Sequence, residues 1–309
     1  MTRTQVFLAC AYALIHAAPA VAQERPDSFR LKEIVATATR MATARDAAPA
    51  AVTVLYGEEL RARGIRFVAD ALRTVPGAAV VRSGSSGGLT SLFVRGGESD
   101  YVQVLLDGIQ LNEPGGSFDF GQLTLDNIER IEIVRGPVGM LYGSDAVAGV
   151  VQLFTRRGSG SPRVTAAVST GLSARVGPQA DGNYGTTAWD ASAAGGVQRG
   201  DFSIGIARYD TDGAYAFNNG YDNLTLTGRG RLAIGERSEA TLTTRYTDGE
   251  FHFPTNGAGA LVDRNQFTST SSFALGLEAA HAFTPAIEAR LLLSLHDSDR
   301  LTDDRQDGP

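Results

Sequence analysis

The chain is almost without cysteine. Among 309 residues the one thiol is Cys10, so no disulfide can close within the chain and no thiolate cluster can hold a metal. Histidine is nearly as scarce. His16, His252, His281 and His296 stand far apart, with no HExxH or paired spacing, which removes the common zinc constellations. No P-loop or Rossmann glycine triplet is present to cradle a nucleotide. The basic residues are almost all arginine and form no stripe, and the net charge is −6, which excludes a nucleic-acid footprint. After residue 22 no run of eighteen apolar residues occurs, so helical membrane spans are excluded while transmembrane strands are not.

The first 22 residues have a use of their own. Arg3, the short apolar stretch Val6–Ala18 and Ala20-Val21-Ala22 before Gln23 have the form of a secretory signal, and Val6–Ala18 is too short to cross a bilayer. Cys10 lies inside it. Composition then divides the rest into an N-terminal extension over 23–45, a glycine-punctuated domain over 46–158, and a Thr/Ser/Gly/Ala-rich, strand-patterned segment over 159–309.

The densest information lies in LFVRGGESDYVQVLLDGIQL (92–111) and IERIEIVRGPVGMLYGSDAVAGVVQLFT (128–155). Val102–Leu106 and Ile128–Val134 are short, apolar and β-branched, and are predicted as buried strands. Asp107-Gly108 is a hairpin turn between apolar runs. In this order the motifs Arg95-Gly96, Asp107-Gly108, Arg135-Gly136 and Tyr142-Gly143 resemble the plug domain of TonB-dependent outer-membrane receptors, and within that family the cobalamin transporters most of all. The resemblance implies an α+β plug, then an antiparallel transmembrane β-barrel that is incomplete in this chain. It also implies a monomeric barrel in outer-membrane lipid, a large chelate ligand such as cobalamin or a ferric siderophore, and the TonB C-terminal domain as partner. Glu33-Ile34-Val35-Ala36-Thr37-Ala38 resembles the family's TonB box, an extended strip suited to strand addition.

Beyond Arg163 apolar and polar residues alternate. Leu224, Leu226, Leu232 and Ile234 alternate with Thr225, Thr227, Arg229 and Arg231, and Leu291, Leu293 and Leu295 follow the same rule. Period two sends one set to lipid and the other to a lumen. About seven strands are expected, near 163–172, 184–197, 201–209, 222–234, 238–248, 270–283 and 286–297. Tight turns alternate with long connections, as in outer-membrane barrels. Plugged transporters have about 22 strands, so the chain is expected to be part of a longer receptor, with Leu291–Leu295 on an unpaired edge. His296–Gly308 looks like an acidic loop.

By the same resemblance, plug-apex loops touch the substrate: Leu89, Thr90 and Ser91, and Asn112, Glu113 and Ser117. No cofactor is expected beyond a structural calcium ion: Asp210, Asp212 and Asp222, with Asn218 and Asn219, bring hard oxygens to a long loop, which reads either as a calcium site or as a solvated acidic loop. Phe251–Pro254 suits either a ligand contact or an interfacial aromatic girdle. Arg95 and Arg135, next to buried strands, are expected to meet wall carboxylates at Glu278 and Glu288. Two rival readings remain: a secreted periplasmic binding module with a plug-like fold, and an exported serine hydrolase resting on Ser86 in Gly84-Ser85-Ser86-Gly87-Gly88, a G-x-S-x-G match. No catalysis is expected.

Overall fold

The computed structural model describes residues 34–35, 37, 43–44, 50–177, 179–256, 259–284 and 286–304. The signal segment and Glu33, Ala36 and Ala38 lie outside the described residues.

The first domain is built on a five-stranded mixed sheet. Its strands are β3 (Ala51–Tyr56), β8 (Ile128–Arg135), β9 (Gly149–Thr155), β6 (Val102–Leu106) and β7 (Ile109–Gln110), in that spatial order. β6 and β9 run parallel and the other neighbours antiparallel. The predicted strands at 102–106 and 128–134 are therefore present. Asp107 and Gly108 turn β6 into β7 with φ of 47° and 89°, the two positive values that a type I′ hairpin requires. β4 (Ala78–Arg82) and β5 (Thr90–Val94) form a separate two-stranded ribbon.

Strand periodicity explains why both faces of the sheet are dry. Ile131, Ile133, Val151, Leu153, Val104 and Leu106 point to one side, onto the short helices α1 (Gly57–Ala62) and α2 (Val68–Leu72). Val52, Val134, Val150 and Leu105 point to the other. There the sheet is covered by Val35, from the two-residue strand β1 (Ile34–Val35), which pairs with β2 (Thr43–Ala44). Each fully buried aliphatic side chain contributes about 1.5–3 kcal/mol, so Val35 alone gives the N-terminal segment a substantial hold on the sheet.

Seven long antiparallel strands follow in sequence order: β10 (Arg163–Ala174), β11 (Asn183–Val197), β12 (Gly200–Thr211), β13 (Tyr221–Ile234), β14 (Ser238–His252), β15 (Phe267–Thr284) and β16 (Ile287–Asp303). All seven expected strands are there. Tight turns do alternate with long connections. On β13, Tyr221, Asn223, Thr225 and Thr227 are buried toward the first domain, while Leu226, Leu232 and Ile234 are exposed on the outer face. Leu291, Leu293 and Leu295 are likewise exposed, and β16 closes the strand order with β15 as its one partner among the described residues. Among the described residues no helix is long and apolar enough to cross a membrane.

One expectation is corrected. Residues 296–303 continue β16 in register with β15, down to the pair Phe267–Asp303. Backbone pairing is indifferent to side-chain polarity, and a strand reaching past the apolar band can carry Asp297, Asp299 and Asp303 in water.

Inner sheet and wall interlock. A methyl added to Gly276 on the wall would lie 2.7 Å from Ile109 Cδ1, so the missing side chain is the notch that receives β7. Thr243 of β14 donates to the Asp107 carboxylate at 3.1 Å, and Asp107 also accepts from Thr155 N at 3.0 Å and from Thr155 Oγ1.

Candidate functional site: the docked N-terminal segment and the plug apex

The N-terminal strip lies on the sheet through a compact polar cluster. Thr37 is fully buried. Its backbone N–H and its hydroxyl both donate to Glu132 Oε2, at 2.9 and 2.7 Å, and Oγ1 also lies 3.1 Å from Gln152 Oε1. Tyr142, from the turn of helix α3 (Gly139–Tyr142), donates its phenol to the Thr37 carbonyl at 2.8 Å. Glu132 is completely buried. Its other oxygen accepts from Arg130 Nε at 2.9 Å, two residues away on the same face of β8, and the Arg130 guanidinium rests 3.8 Å from the centre of the Phe154 ring. A buried carboxylate is tolerated because it is paired and hydrogen-bonded.

The predicted substrate residues sit at the opposite kind of boundary, where the first domain meets the long connections of the wall. The glycine/serine loop is seated on the wall: Asn219 Nδ2 donates to Ser85 Oγ at 2.7 Å, and Gly87 (φ 87°) lies flat on the ring of Tyr221. Tyr221 is 2% exposed and packs with Phe67, Tyr209 and Phe251. Phe251 is thus turned toward the inner domain, with Phe253 stacked on it at 5.4 Å. Asp119 organises the same region. It accepts from Thr90 N (2.9 Å), Gly121 N (2.8 Å) and Arg300 of the wall (3.2 Å). Burial pushes the Asp119 carboxyl above its usual range.

The six candidates differ in what they can offer a ligand. Leu89 is half exposed and presents an aliphatic surface at the apex. Ser91 is partly buried in β5, and Glu113 and Ser117 lie on the accessible 113–117 turn, 3.5 Å apart. Two expectations are corrected. Asn112 is 7% exposed and spends all its hydrogen-bonding capacity indoors. It accepts from Gln103 Nε2 and Val104 N, and it donates to the carbonyls of Val102 and Gly116. Thr90 is fully buried, and its hydroxyl donates to the Gly88 carbonyl. Both residues hold the loops together from inside.

The arginine pairing is also corrected. Arg95 is exposed at the end of β5, and Arg135 donates to the Pro76 carbonyl and to Thr53 Oγ1. Glu278 and Glu288 both pair with Arg290, a neighbour on the same wall. An arginine two positions or one strand away meets these carboxylates at lower conformational cost than one on a separate domain.

Of the three aspartates, Asp210 in β12 and Asp222 in β13 face each other across the strand pair, and only Asp212 lies in the connection. Asp210 and Asp222 both approach Arg208, at 3.9 and 3.3 Å, while Asp212 accepts from Gly185 N. Among the described residues no group of three His, Cys, Asp or Glu gathers as a metal site. His252 is engaged by Glu250 and Asn218, and His281 by Ser238, so neither is hydrogen-bonded to Ser86.

Reasoning from sequence missed Glu132, Asp119 and Tyr221, and read Asn219 as a member of the acidic loop and not as the partner of Ser85. For Glu132 a signal existed: an acidic residue inside an apolar strand, with period two placing it beside Val134.

Comparison with known proteins agrees with this architecture. Residues 44–150 match the family described as TonB-dependent Receptor Plug Domain. The Vitamin B12 transporter BtuB of Vibrio vulnificus (strain CMCP6) is 30% identical over 226 residues, which is 72% of this chain and 36% of that protein. The chain thus spans about a third of the length of this curated relative. Among solved structures, the ferric citrate transporter FecA in its unliganded form superposes with a TM-score of 0.69 at 18% identity, covering 84% of this chain and 41% of FecA. The alcaligin outer-membrane receptor FauA of Bordetella pertussis superposes with a TM-score of 0.65 at 20% identity, covering 88% and 43%. With a plug profile over residues 44–150, a plug-shaped sheet and a sequential antiparallel wall beside it, the chain carries the plug domain of the TonB-dependent receptors and seven strands of a partial barrel wall.

Proposed function

We propose that the chain is the plug and first wall portion of an outer-membrane transporter that takes up a large metal chelate, cobalamin or a ferric siderophore. The ligand binds at the apex, around Leu89, Ser91 and the 113–117 turn, beneath the long wall connections. The energy comes from TonB, whose C-terminal domain pairs with the strip Glu33–Ala38 by strand addition and pulls on it. The chemistry is binding and displacement, with no covalent step.

The observation that carries this reading is the manner in which Val35 and Thr37 are held. Among the described residues they lie on the plug sheet through the Val35 side chain and the hydrogen bonds of Thr37, outside the strand order of the plug. Such a segment can be withdrawn without unfolding the sheet beneath it. A ligand shifts the docked and undocked states only through different affinity for the two. The apex clamp of Ser85, Gly87 and Asn219 is well placed to sense it, because it joins the ligand loops to the wall.

The test is Val35→Pro in the receptor assembled in the outer membrane. Proline has no N–H to donate to a ladder. Energised uptake of labelled chelate is expected to vanish while binding to isolated outer membranes persists. Uptake at the normal rate in that variant would overturn the assignment.

A further inference from the structure

We propose that Glu132 is the positioning residue that sets the resting state of the N-terminal segment, acting as a buried carboxylate latch for Thr37 and itself held by Arg130. The proposal rests on the transport reading for its role in the cell, although the latch is measurable without ligand or partner.

Four observations converge on it. Glu132 is a carboxylate with no exposed surface, on a strand whose neighbours are apolar. One of its oxygens, Oε2, receives two donors from a single residue, Thr37 N–H and Thr37 O–H. Its second oxygen takes Arg130 Nε, and that guanidinium is fixed by the Phe154 ring and lies 3.7 Å from Glu129. Gln152, cross-strand from Glu132 in the β8–β9 register, closes the cluster on the hydroxyl side.

This arrangement makes docking selective and reversible. Hydrogen bonds to a charged acceptor are the strong kind, so the segment is held at one register by Thr37. Sliding the segment by one residue would present another side chain to Glu132 and remove the N–H and O–H that Thr37 alone supplies to Oε2. When the segment leaves, Arg130 remains at 2.9 Å to keep the carboxylate paired, so the uncovered sheet face is not left with a lone charge. Arg130 is therefore the group that makes undocking affordable to the plug core. The same logic explains why the strand carries Arg and Glu two positions apart on one face.

The test is thiol accessibility in the receptor in outer-membrane vesicles, with Cys10→Ser to remove the native thiol and Val35→Cys as reporter. Val35 is fully buried, so its modification by a maleimide reports undocking. A second reporter, Val104→Cys, lies in the opposite face of the sheet and is equally buried. Removing a hydrogen bond to a charged group shifts a local equilibrium by roughly 10- to 150-fold. Thr37→Val and Glu132→Gln are each expected to speed labelling at position 35 by about tenfold or more, with labelling at 104 unchanged. Thr37→Ser, which keeps both donors, is expected to label at the parent rate. The proposal is overturned if Thr37→Val labels at the parent rate, if Thr37→Ser behaves like Thr37→Val, or if position 104 accelerates along with position 35. Should Glu132→Gln fail to assemble, Thr37→Val decides by itself, because it leaves the Arg130–Glu132 pair intact. Failure here with Val35→Pro still blocking uptake would refute the latch and leave the transport reading standing.

Discussion

Gly87→Ala is the sharpest probe of the coupling between the plug apex and the wall. Gly87 has φ of 87°, and an added methyl would lie 2.2 Å from Tyr221 Cδ2 and 2.6 Å from Cε2 and Cγ. An L-residue in the left-handed region costs roughly 1–2 kcal/mol. The steric part adds to this, because Tyr221 cannot retreat: its ring is wedged against Tyr209 at 5.8 Å and Phe67 at 6.1 Å, and its hydroxyl donates to the Gly121 carbonyl. Overpacking of a dry site costs about 1–3 kcal/mol. The control is Gly96→Ala, with φ of 78° and nothing within 4 Å of the added methyl, which carries the backbone cost alone. The difference between the two variants is therefore the Tyr221 contact, a shift of roughly 5- to 150-fold in the docked population of the loop. Oxidative crosslinking of a Ser85→Cys, Asn219→Cys pair reads that population, since the two native side chains touch at 2.7 Å. Crosslinking is expected to slow by that factor in Gly87→Ala and to stay near the parent rate in Gly96→Ala. Equal crosslinking in both variants would show that the loop is not seated on Tyr221.

Two further outcomes follow from the apex. Asn112→Ala strips four hydrogen bonds from the 102–116 region and leaves buried backbone groups at Val102, Val104 and Gly116 without partners. Each such group costs about 1–3 kcal/mol, so the melting temperature is expected to fall steeply, and a loss of ligand affinity with an unchanged melting temperature would contradict the structural role. Asp119 gives a pH signature. Because burial raises its carboxyl in the folded state, its contribution is fully present below the ordinary value of 3.8 and is lost as pH rises through the raised value. The melting temperature of the parent relative to Asp119→Asn is expected to decline over that window, and a parallel pair of curves would refute the assignment.

Much of this molecule is legible one residue at a time. Alternation in Leu224–Ile234 and Leu291–Leu295 placed the wall strands, because period two has one meaning for a sheet between lipid and lumen. Asp107-Gly108 announced its hairpin, since two positive φ values restrict the choice of residue. These are local rules, and they hold wherever the chain is. Contacts between distant segments obey no such rule. Arg95 and Arg135 look alike in sequence, yet one ends in solvent and the other on the Pro76 carbonyl. Asn112 was expected at the ligand because the plug resemblance puts its loop at the apex, and only the fold of the 113–116 loop back over β6 gave its amide four internal partners. Asp210 and Asp222 meet across β12 and β13 with Arg208 between their charges, while Asp212 is turned to the Gly185 N–H. Glu132 and Thr37 are 95 residues apart. Nothing in either stretch predicts the other, and the buried carboxylate acquires its purpose only when the sheet is built and the N-terminal segment is laid across it. The sequence by itself determined strands, turns and the face each side chain takes, because these depend on the backbone period. Tertiary structure decided which buried charge meets which donor, because that depends on distances between elements the chain brings together only on folding.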